Sequence, residues 1–185
     1  MRVIAGQARG RRLLAPKGRG VRPTTDRVRQ SLMDILVPWT EGRAWLDLFA
    51  GSGAVGIEAL SRGACLAVFV ESDRRAAEVL EANLVRTGLR GRAEIRQSTV
   101  RVALEDLARE GRAFDVVFAD PPYGQGFVAE TAREVARLRL VSPPGLLVIQ
   151  HSARERPGDV EGLRLAREAA YGETVVSFFS PELGD

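Results

Sequence analysis

The chain has 185 residues, of which 45% are hydrophobic, and this length and composition are typical of one globular domain with an α/β core. One cysteine and one histidine exclude an intramolecular disulfide and a zinc site built from a Cys/His cluster. No apolar run approaches the roughly 18 residues of a membrane span, and no apolar segment follows the basic N-terminus. We therefore expect a cytoplasmic protein without a secretory signal.

Positive charge is concentrated at the N-terminus. Residues 1–29 hold nine basic side chains and one acid, a net charge of +8, whereas the rest of the chain holds 18 basic and 23 acidic side chains, a net charge of −5. A basic segment on a mildly acidic body favours binding to a polyanion, with a solubilising tail as the alternative. The cations expected to contact the polyanion are Arg9, Arg11, Arg12, Lys17, Arg19 and Arg22.

The N-terminal part is expected to fold. Residues 2–15 predict a β-hairpin of two short strands, and apolar positions at helical spacing predict a helix over residues 26–37. We therefore predict a basic N-terminal extension, residues 1–38, packed on a main domain, residues 39–185.

From residue 44 onwards, predicted strands alternate with predicted helices. The strands are residues 44–50, 66–71, 93–97, 114–119 and 146–151, and the helices between them are residues 55–62, 74–87, 102–109 and 128–138. This spacing predicts βαβ units and a parallel sheet with helices on both faces. Residues 163–170 and 174–180 predict a closing pair of strands that is antiparallel.

The first predicted strand runs into a glycine-rich loop. Gly51, Gly53 and Gly56 have the spacing G-x-G-x-x-G, which allows a tight turn and close approach of a ligand to a helix N-terminus. Glu71 ends the next predicted strand, where a carboxylate can accept both hydroxyls of a ribose, so the pattern alone also fits a dinucleotide site. Asp47, inside the first strand, favours instead a methyl donor, whose ammonium group an acid beside the loop can bind.

The fourth predicted strand ends at a stiff corner, Asp120-Pro121-Pro122-Tyr123, because proline has no N–H with which to continue a ladder. The Asp120 carboxylate and the Pro121 carbonyl can accept both protons of a planar amino group, which favours tetrahedral geometry and exposes the nitrogen lone pair. The Tyr123 ring offers a face for base stacking, worth roughly 1–3 kcal/mol. A proline-rich strand end with a capping Asp is the alternative, and Tyr123 and the apolar strand argue against it.

Four stretches of the chain together resemble the RsmD family of S-adenosylmethionine-dependent methyltransferases. They are residues 22–32 (RPTTDRVRQSL), 46–63 (LDLFAGSGAVGIEALSRG), 120–123 (DPPY) and 171–174 (YGET). The resemblance implies a three-layer αβα, Rossmann-like class I methyltransferase fold, with a mostly parallel sheet and an antiparallel C-terminal strand. It also implies S-adenosyl-L-methionine as the cofactor and the N2 amino group of guanine 966 in 16S ribosomal RNA as the target.

The resemblance also assigns site residues. Asp120, Pro121, Pro122 and Tyr123 are implied to face the target base. The positions implied to bind the cofactor are Asp47, Phe49, Ala50, Gly51, Ser52, Gly53, Glu71, Ser72, Ser98 and Thr99. The family's acidic residue after the third strand, which would bind the adenine amino group, is replaced in this chain, so we expect Ser98 or backbone groups to take its place.

The partner implied by the resemblance is 16S ribosomal RNA or the small ribosomal subunit, with no metal ion and no membrane, and we expect a monomer. Two other functions stay open. The same tetrapeptide serves adenine-N6 methyltransferases of DNA or RNA, and an RNA-binding protein with a vestigial cofactor pocket is the non-catalytic alternative. His151, at the end of the fifth predicted strand, is interpreted as structural rather than as an acid or base.

Overall fold

The computed structural model describes residues 1–15 and 26–182. The chain forms two compact units, Met1–Ser98 and Thr99–Asp185. The predicted N-terminal extension, residues 1–38, falls inside the first unit, and its separation from the rest of the chain stays a prediction. No helix in the described part of the chain combines the length and the apolar character needed to cross a membrane.

The first unit is built on parallel strands. Its elements are α1 (Asp26–Ile35), a 3₁₀ turn (Val37–Trp39), β1 (Ala44–Leu48), α2 (Ala54–Ser61), β2 (Leu66–Val70), α3 (Arg74–Thr87), a second 3₁₀ turn (Arg90–Arg92) and β3 (Ala93–Arg96). Strand β1 pairs with β2, and β2 pairs with β3, both in parallel, as the alternation of strands and helices predicts. Every residue of β1 and β2 after the first is buried, as expected for strands covered on both faces.

Helix α3 has the predicted bounds because local signals mark both of its ends. The Asp73 side chain accepts a hydrogen bond from the Ala76 N–H at 2.8 Å, which satisfies an amide of the first turn. Gly88 follows the last turn in the left-handed conformation, with φ of 74°. Leu80 and Leu84 on the apolar face of the helix are fully buried.

The second unit combines parallel and antiparallel pairing. Its elements are α4 (Val100–Arg109), β4 (Phe114–Ala119), α5 (Phe127–Arg137), β5 (Val141–Ser152), β6 (Leu163–Tyr171) and β7 (Thr174–Pro181). Strand β4 pairs in parallel with β5, and β7 lies antiparallel to both β5 and β6. The antiparallel closing pair is therefore confirmed.

Strand β5 begins five residues earlier than predicted. Phe114 pairs with Val141 and Val116 pairs with Leu146, so the register shifts and residues 142–145 form a bulge. The bulge accommodates two prolines that have no N–H to donate to a ladder. The Ser142 hydroxyl donates a hydrogen bond to the Phe114 carbonyl at 3.0 Å, which holds the bulge against β4.

The N-terminal segment turns back on itself as the predicted hairpin, although its two arms are not regular strands. A single antiparallel bridge joins Arg2 and Arg12. Backbone hydrogen bonds also join the two arms, from the Val3 N–H to the Arg11 carbonyl at 3.0 Å and from the Leu13 N–H to the Met1 carbonyl at 3.1 Å, whereas amides between them bind side chains of α2. Ile4 and Ala5 donate their N–H groups to the two carboxylate oxygens of Glu58, each at 2.9 Å.

Candidate functional site: a glycine turn and a proline corner

In the first unit, the chain between β1 and α2 forms a tight turn that is anchored to the end of β2. Gly51 and Gly53 have φ of 56° and 76°, in the left-handed region that favours glycine. The Gly51 N–H donates to the Glu71 carboxylate at 2.8 Å, and the Gly53 N–H donates to the Ala50 carbonyl at 2.8 Å. The sequence predicted Gly51 and Glu71 at one site, and the structure brings them into direct contact.

The glycines of this turn have different roles. A Cβ on Gly51 would meet no atom within 4 Å, so this glycine borders open space that a ligand can occupy. A Cβ on Gly53 would lie 2.2 Å from Leu80 Cδ1, and a Cβ on Gly56 would lie 2.3 Å from Phe69 Cε1. The second and third glycines are therefore required for packing against α3 and β2.

Asp47 lies below the turn and is almost fully buried, with 2% of its surface exposed. Its Oδ2 accepts a hydrogen bond from the Gly56 N–H at 2.9 Å, in the first turn of α2. An amide at a helix N-terminus stabilises a buried carboxylate, which would otherwise be costly to remove from water. Asp47 thus shapes the turn, and its expected contact with a ligand ammonium group stays a prediction.

Glu71 holds the turn and the start of α3 at once. One carboxylate oxygen accepts from Gly51 N–H, and the other accepts from Asp73 N–H at 2.8 Å. Because each carboxylate oxygen has two lone pairs, these bonds leave room for ribose hydroxyls. The neighbouring Ser72 is exposed.

Phe49 is held in an unusual backbone conformation, which the sequence did not reveal. Its φ is 58°, a region rare for an aromatic residue and costing about 1–3 kcal/mol. Such strain is concentrated at ligand-binding turns, and Phe49 lies two residues before Gly51. Its place at the cofactor site stays a prediction.

The residues expected to read the adenine lie after β3. Ser98 is half-buried, and its N–H donates to the Arg96 carbonyl at 3.0 Å. Thr99 begins the second unit, where its hydroxyl accepts from the Val102 N–H at 3.4 Å and caps α4. The Thr99 hydroxyl therefore has a structural task that the sequence interpretation did not include.

In the second unit, β4 ends at the proline corner. Asp120 is half-buried, Pro121 is buried, and Pro122 is exposed. Tyr123 is 41% exposed and lines an open cleft of about 520 Å³. The other residues that line the cleft are Gly124, Gly126, Ser152, Arg154 and Glu155. An aromatic ring beside a cleft of this size can stack on a planar ligand.

Glu155 fixes the loop that follows Tyr123. Its carboxylate accepts hydrogen bonds from the Gly124 N–H at 2.5 Å and the Gly126 N–H at 3.0 Å. Gly126 is also the residue that precedes the first turn of α5. Glu155 was not predicted from the sequence, because the contact joins residues about 30 positions apart and no motif marks it.

His151 is fully buried on β5, as the structural interpretation predicts. Its Nε2 lies 2.8 Å from the Ser177 hydroxyl on β7, and its Nδ1 lies 2.8 Å from the Ser152 carbonyl. Ser177 in turn donates to Glu168 on β6 at 3.1 Å. The ring therefore contributes to a polar chain across three strands.

The basic N-terminal segment is docked on α2. In addition to the two bonds to Glu58, the Ala8 N–H donates to the Ser61 hydroxyl at 3.0 Å, and both acceptor side chains are buried. A Cβ on Gly6 would lie 1.8 Å from the Ser61 carbonyl oxygen, so glycine is required for this close approach. The segment is thus a fixed part of the first unit.

Three of the six predicted RNA-contacting cations can be located. Arg9, Arg11 and Arg12 are exposed, and Arg11 Nη1 donates to the Arg86 carbonyl at the end of α3 at 2.5 Å. Across residues 1–15 and 26–182, no carboxylate pairs with Arg9 or Arg12. The remaining three, Lys17, Arg19 and Arg22, lie outside the described residues.

The chain matches a family model described as conserved hypothetical protein 95 over residues 1–180. YlbH of Bacillus subtilis strain 168 is 36% identical over 180 residues, which cover 97% of this chain and 98% of that protein. Ribosomal RNA small subunit methyltransferase D of Escherichia coli K12 is 45% identical over 131 residues, which cover 71% of this chain and 64% of that protein.

Among solved structures, the protein yhhF of Escherichia coli is similar with a TM-score of 0.85 and 36% identity. The likeness covers 100% of this chain and 99% of that chain. It confirms the predicted Rossmann-like fold with mostly parallel strands and antiparallel strands at the C-terminal end.

Proposed function

This chain belongs to the family described as conserved hypothetical protein 95, the RsmD family of ribosomal RNA methyltransferases, and on that premise we propose the reaction that it catalyses. A methyl group passes from S-adenosyl-L-methionine to the exocyclic N2 amino group of a guanine in 16S ribosomal RNA, by resemblance guanine 966. The substrate is 16S ribosomal RNA or the small ribosomal subunit, and the enzyme acts as a monomer without a metal ion.

The observation that carries this proposal is the proline corner after β4. A carboxylate, a carbonyl without a neighbouring amide and an aromatic ring follow one another in four residues, and the Tyr123 ring lines an open cleft. The oxygen atoms of the Asp120 carboxylate and the Pro121 carbonyl accept hydrogen bonds and donate none. They therefore suit a planar amino group, which presents two protons and no acceptor. A dinucleotide-dependent oxidoreductase has no use for such a set.

The glycine turn fits the cofactor. Open space beside Gly51 leaves room for a ligand, and Glu71 can accept ribose hydroxyls while it still holds the Gly51 amide. Asp47 places a negative charge next to the turn, through its bond to the Gly56 amide, and such a charge can attract the ammonium group of the cofactor. S-Adenosyl-L-methionine supplies the methyl group on a positively charged sulfonium, from which a nucleophile can take it in one displacement.

Asp120 and Pro121 prepare the nucleophile. The guanine amino group is a poor nucleophile because its lone pair is delocalised into the ring. When the Asp120 carboxylate and the Pro121 carbonyl each accept one amino proton, the nitrogen is held in place and its lone pair turns out of the ring plane. The nitrogen becomes positive as its lone pair forms the new bond to the methyl group and the bond from that carbon to sulfur breaks. The Asp120 carboxylate stabilises this charge until one amino proton passes to solvent, which leaves a neutral methylated amino group. Catalysis is then mainly positioning and electrostatics.

The target base must be outside its stack to reach the corner, either in a single-stranded region or flipped from a helix. Tyr123 supplies a ring face on which the extruded base rests. The cations Arg9, Arg11 and Arg12 contact the phosphate backbone of the RNA, without reading sequence. Sequence is read instead at the base itself.

A methylation assay tests the proposal directly. The protein is incubated with S-adenosyl-L-methionine and either naked 16S ribosomal RNA or small subunits that lack the modification, and the digested nucleosides are analysed by mass. We expect N2-methylguanosine with at least one substrate and no incorporation into RNA that already carries the methyl group. N6-methyladenosine would instead support the adenine-specific alternative. Tight cofactor binding without turnover on either substrate would support the non-catalytic alternative.

A further inference from the structure

Asn83 on α3 is fully buried and connects two parts of the first unit that are distant in sequence. Its Oδ1 accepts a hydrogen bond from the Leu14 N–H at 2.8 Å. Its Nδ2 donates to the Leu14 carbonyl at 3.0 Å and to the Ser52 carbonyl at 2.9 Å. The amide therefore uses both of its protons and its oxygen on backbone groups outside α3.

The two partners of Asn83 belong to the two functional parts of this unit. Leu14 follows Arg12 by two residues and lies near the end of the described part of the basic segment. Ser52 lies between Gly51 and Gly53 in the turn beside the proposed cofactor site. Because Gly51 is held by Glu71 and Ser52 by Asn83, the turn is fixed from the end of β2 and from α3, and the same α3 side chain also binds the basic segment.

Helix packing alone does not require an amide at this position. A leucine would bury more apolar surface in α3 and would need no hydrogen-bond partners. Asn83 also matches both backbone groups of Leu14, as a neighbouring strand would, and uses its remaining proton on the turn. One side chain thus joins both backbone groups of Leu14 to the Ser52 carbonyl.

We propose that Asn83 is a positioning residue that couples RNA binding by the N-terminal segment to cofactor binding by the glycine turn. RNA phosphates that bind Arg9, Arg11 and Arg12 hold the segment and, through Leu14 and Asn83, hold Ser52 in its cofactor-binding position. This inference rests on the proposed function, because it takes the turn to bind S-adenosyl-L-methionine. Coupling of this kind is reciprocal, so the cofactor increases the affinity for RNA by the same factor by which RNA increases the affinity for the cofactor.

Calorimetry with S-adenosylhomocysteine, the cofactor without its methyl group, measures the coupling without turnover. Its affinity is determined for the full chain with and without a saturating fragment of unmodified 16S ribosomal RNA that contains the target guanine. For the unaltered protein we expect RNA to tighten binding by about fivefold or more, within the usual range of allosteric coupling. In Asn83→Leu we expect this factor to fall to about one.

Thr87→Val is the matched control. Thr87 lies one turn after Asn83 on the same helix, is also buried, and its hydroxyl bonds only to the Asn83 and Leu84 carbonyls of α3. The substitution disturbs the helix without touching Leu14 or Ser52, so we expect the coupling factor of the unaltered protein. A loss of coupling in Thr87→Val equal to that in Asn83→Leu would overturn the specific role of Asn83.

Leu14→Pro removes one of the three hydrogen bonds of Asn83, because proline has no N–H to donate to Asn83 Oδ1. Leu14 is 42% exposed, so this variant keeps the test decisive if Asn83→Leu does not fold. We expect Leu14→Pro also to reduce the coupling factor. An undiminished coupling factor in Leu14→Pro overturns this inference alone, as does the absence of coupling in an unaltered protein that binds S-adenosylhomocysteine and methylates RNA. An unaltered protein that does not bind S-adenosylhomocysteine overturns the proposed function instead.

Discussion

In the proposed reaction, Asp120 supplies a negative charge that a neutral residue of the same shape cannot supply. In Asp120→Asn an acceptor oxygen remains, but the negative charge is lost and the side-chain amide can present its own protons to the target amino group. We expect an intact fold and unchanged S-adenosylhomocysteine affinity, with single-turnover methylation slower by about 10²–10³, the usual cost of removing one electrostatic contact from an active site. The rate is measured with saturating cofactor, and a rate near that of the unaltered protein would contradict the acceptor role.

Tyr123 is expected to act through its ring face rather than its hydroxyl. The ring is 41% exposed and lines the cleft, where it can stack on an extruded base. Tyr123→Ala should weaken RNA affinity by roughly 1–3 kcal/mol, the measured range for stacking of one base on an aromatic side chain. Tyr123→Phe keeps the ring and is the control, so titration of the unmodified RNA should give nearly the unaltered affinity. A phenylalanine variant as weak as the alanine variant would show that the hydroxyl matters and that stacking is not the main contribution.

At the scale of secondary-structure elements, the turn between β1 and α2 depends on the end of β2. Glu71→Ala removes the acceptor for Gly51 N–H and the acceptor proposed for the ribose. Hydrogen bonds to charged groups are worth about 1.5–3 kcal/mol, so we expect S-adenosylhomocysteine affinity measured by calorimetry to fall by that amount. Glu78→Ala is the control, because it removes the same charge from an exposed ion pair with Arg74 on α3. Equal affinities in the two variants would disprove the assignment, and NADH binding tighter than S-adenosylhomocysteine would favour a dinucleotide site.

The elements that the sequence predicts best are those whose ends carry local signals. Helix α3 has its predicted bounds because Asp73 and Gly88 cap it, and β4 has its predicted bounds because an apolar run stops at Pro121. The early start of β5 was not predicted, because the ladder continues on the far side of a bulge that only pairing with β4 reveals. Periodicity and turn residues describe a segment by itself and carry no information on its partner.

In the candidate site, too, features marked by a local motif were predicted, and contacts between distant parts of the chain were not. The motifs predicted Gly51 and Glu71 as neighbours, because strand ends and glycine turns have fixed geometry in parallel sheets. Asn83, Glu155 and the docking of the N-terminal segment on Glu58 were not predicted. Each depends on a polar side chain that meets backbone groups roughly 30 to 70 residues away, a contact that no local pattern records.

At the scale of the whole molecule, charge is divided between the N-terminus and the rest of the chain. The first 29 residues carry a net charge of +8, and the remainder carries −5. An acidic body repels RNA, so a basic segment fixed to the protein determines which surface the RNA approaches. Because the described part of this segment is hydrogen-bonded to α2 and α3, the attraction is directed to a defined face of the first unit.

Replacing Arg9, Arg11 and Arg12 together by alanine tests whether this charge contacts the RNA backbone. We expect weaker binding to RNAs of any sequence and a flatter dependence of affinity on salt, because fewer counterions are released. The slope of log affinity against log salt should decrease by about 0.7–0.9 for each phosphate contact that is lost.

The control variant replaces Arg101, Arg109 and Arg137, which are exposed and ion-paired with Glu105, Asp106 and Glu134. Both variants lose three positive charges, so an effect of net charge alone would flatten the two slopes equally. A slope that changes only in the N-terminal variant would instead place the phosphates on the basic segment, and an unchanged slope in that variant would show that its cations do not contact RNA.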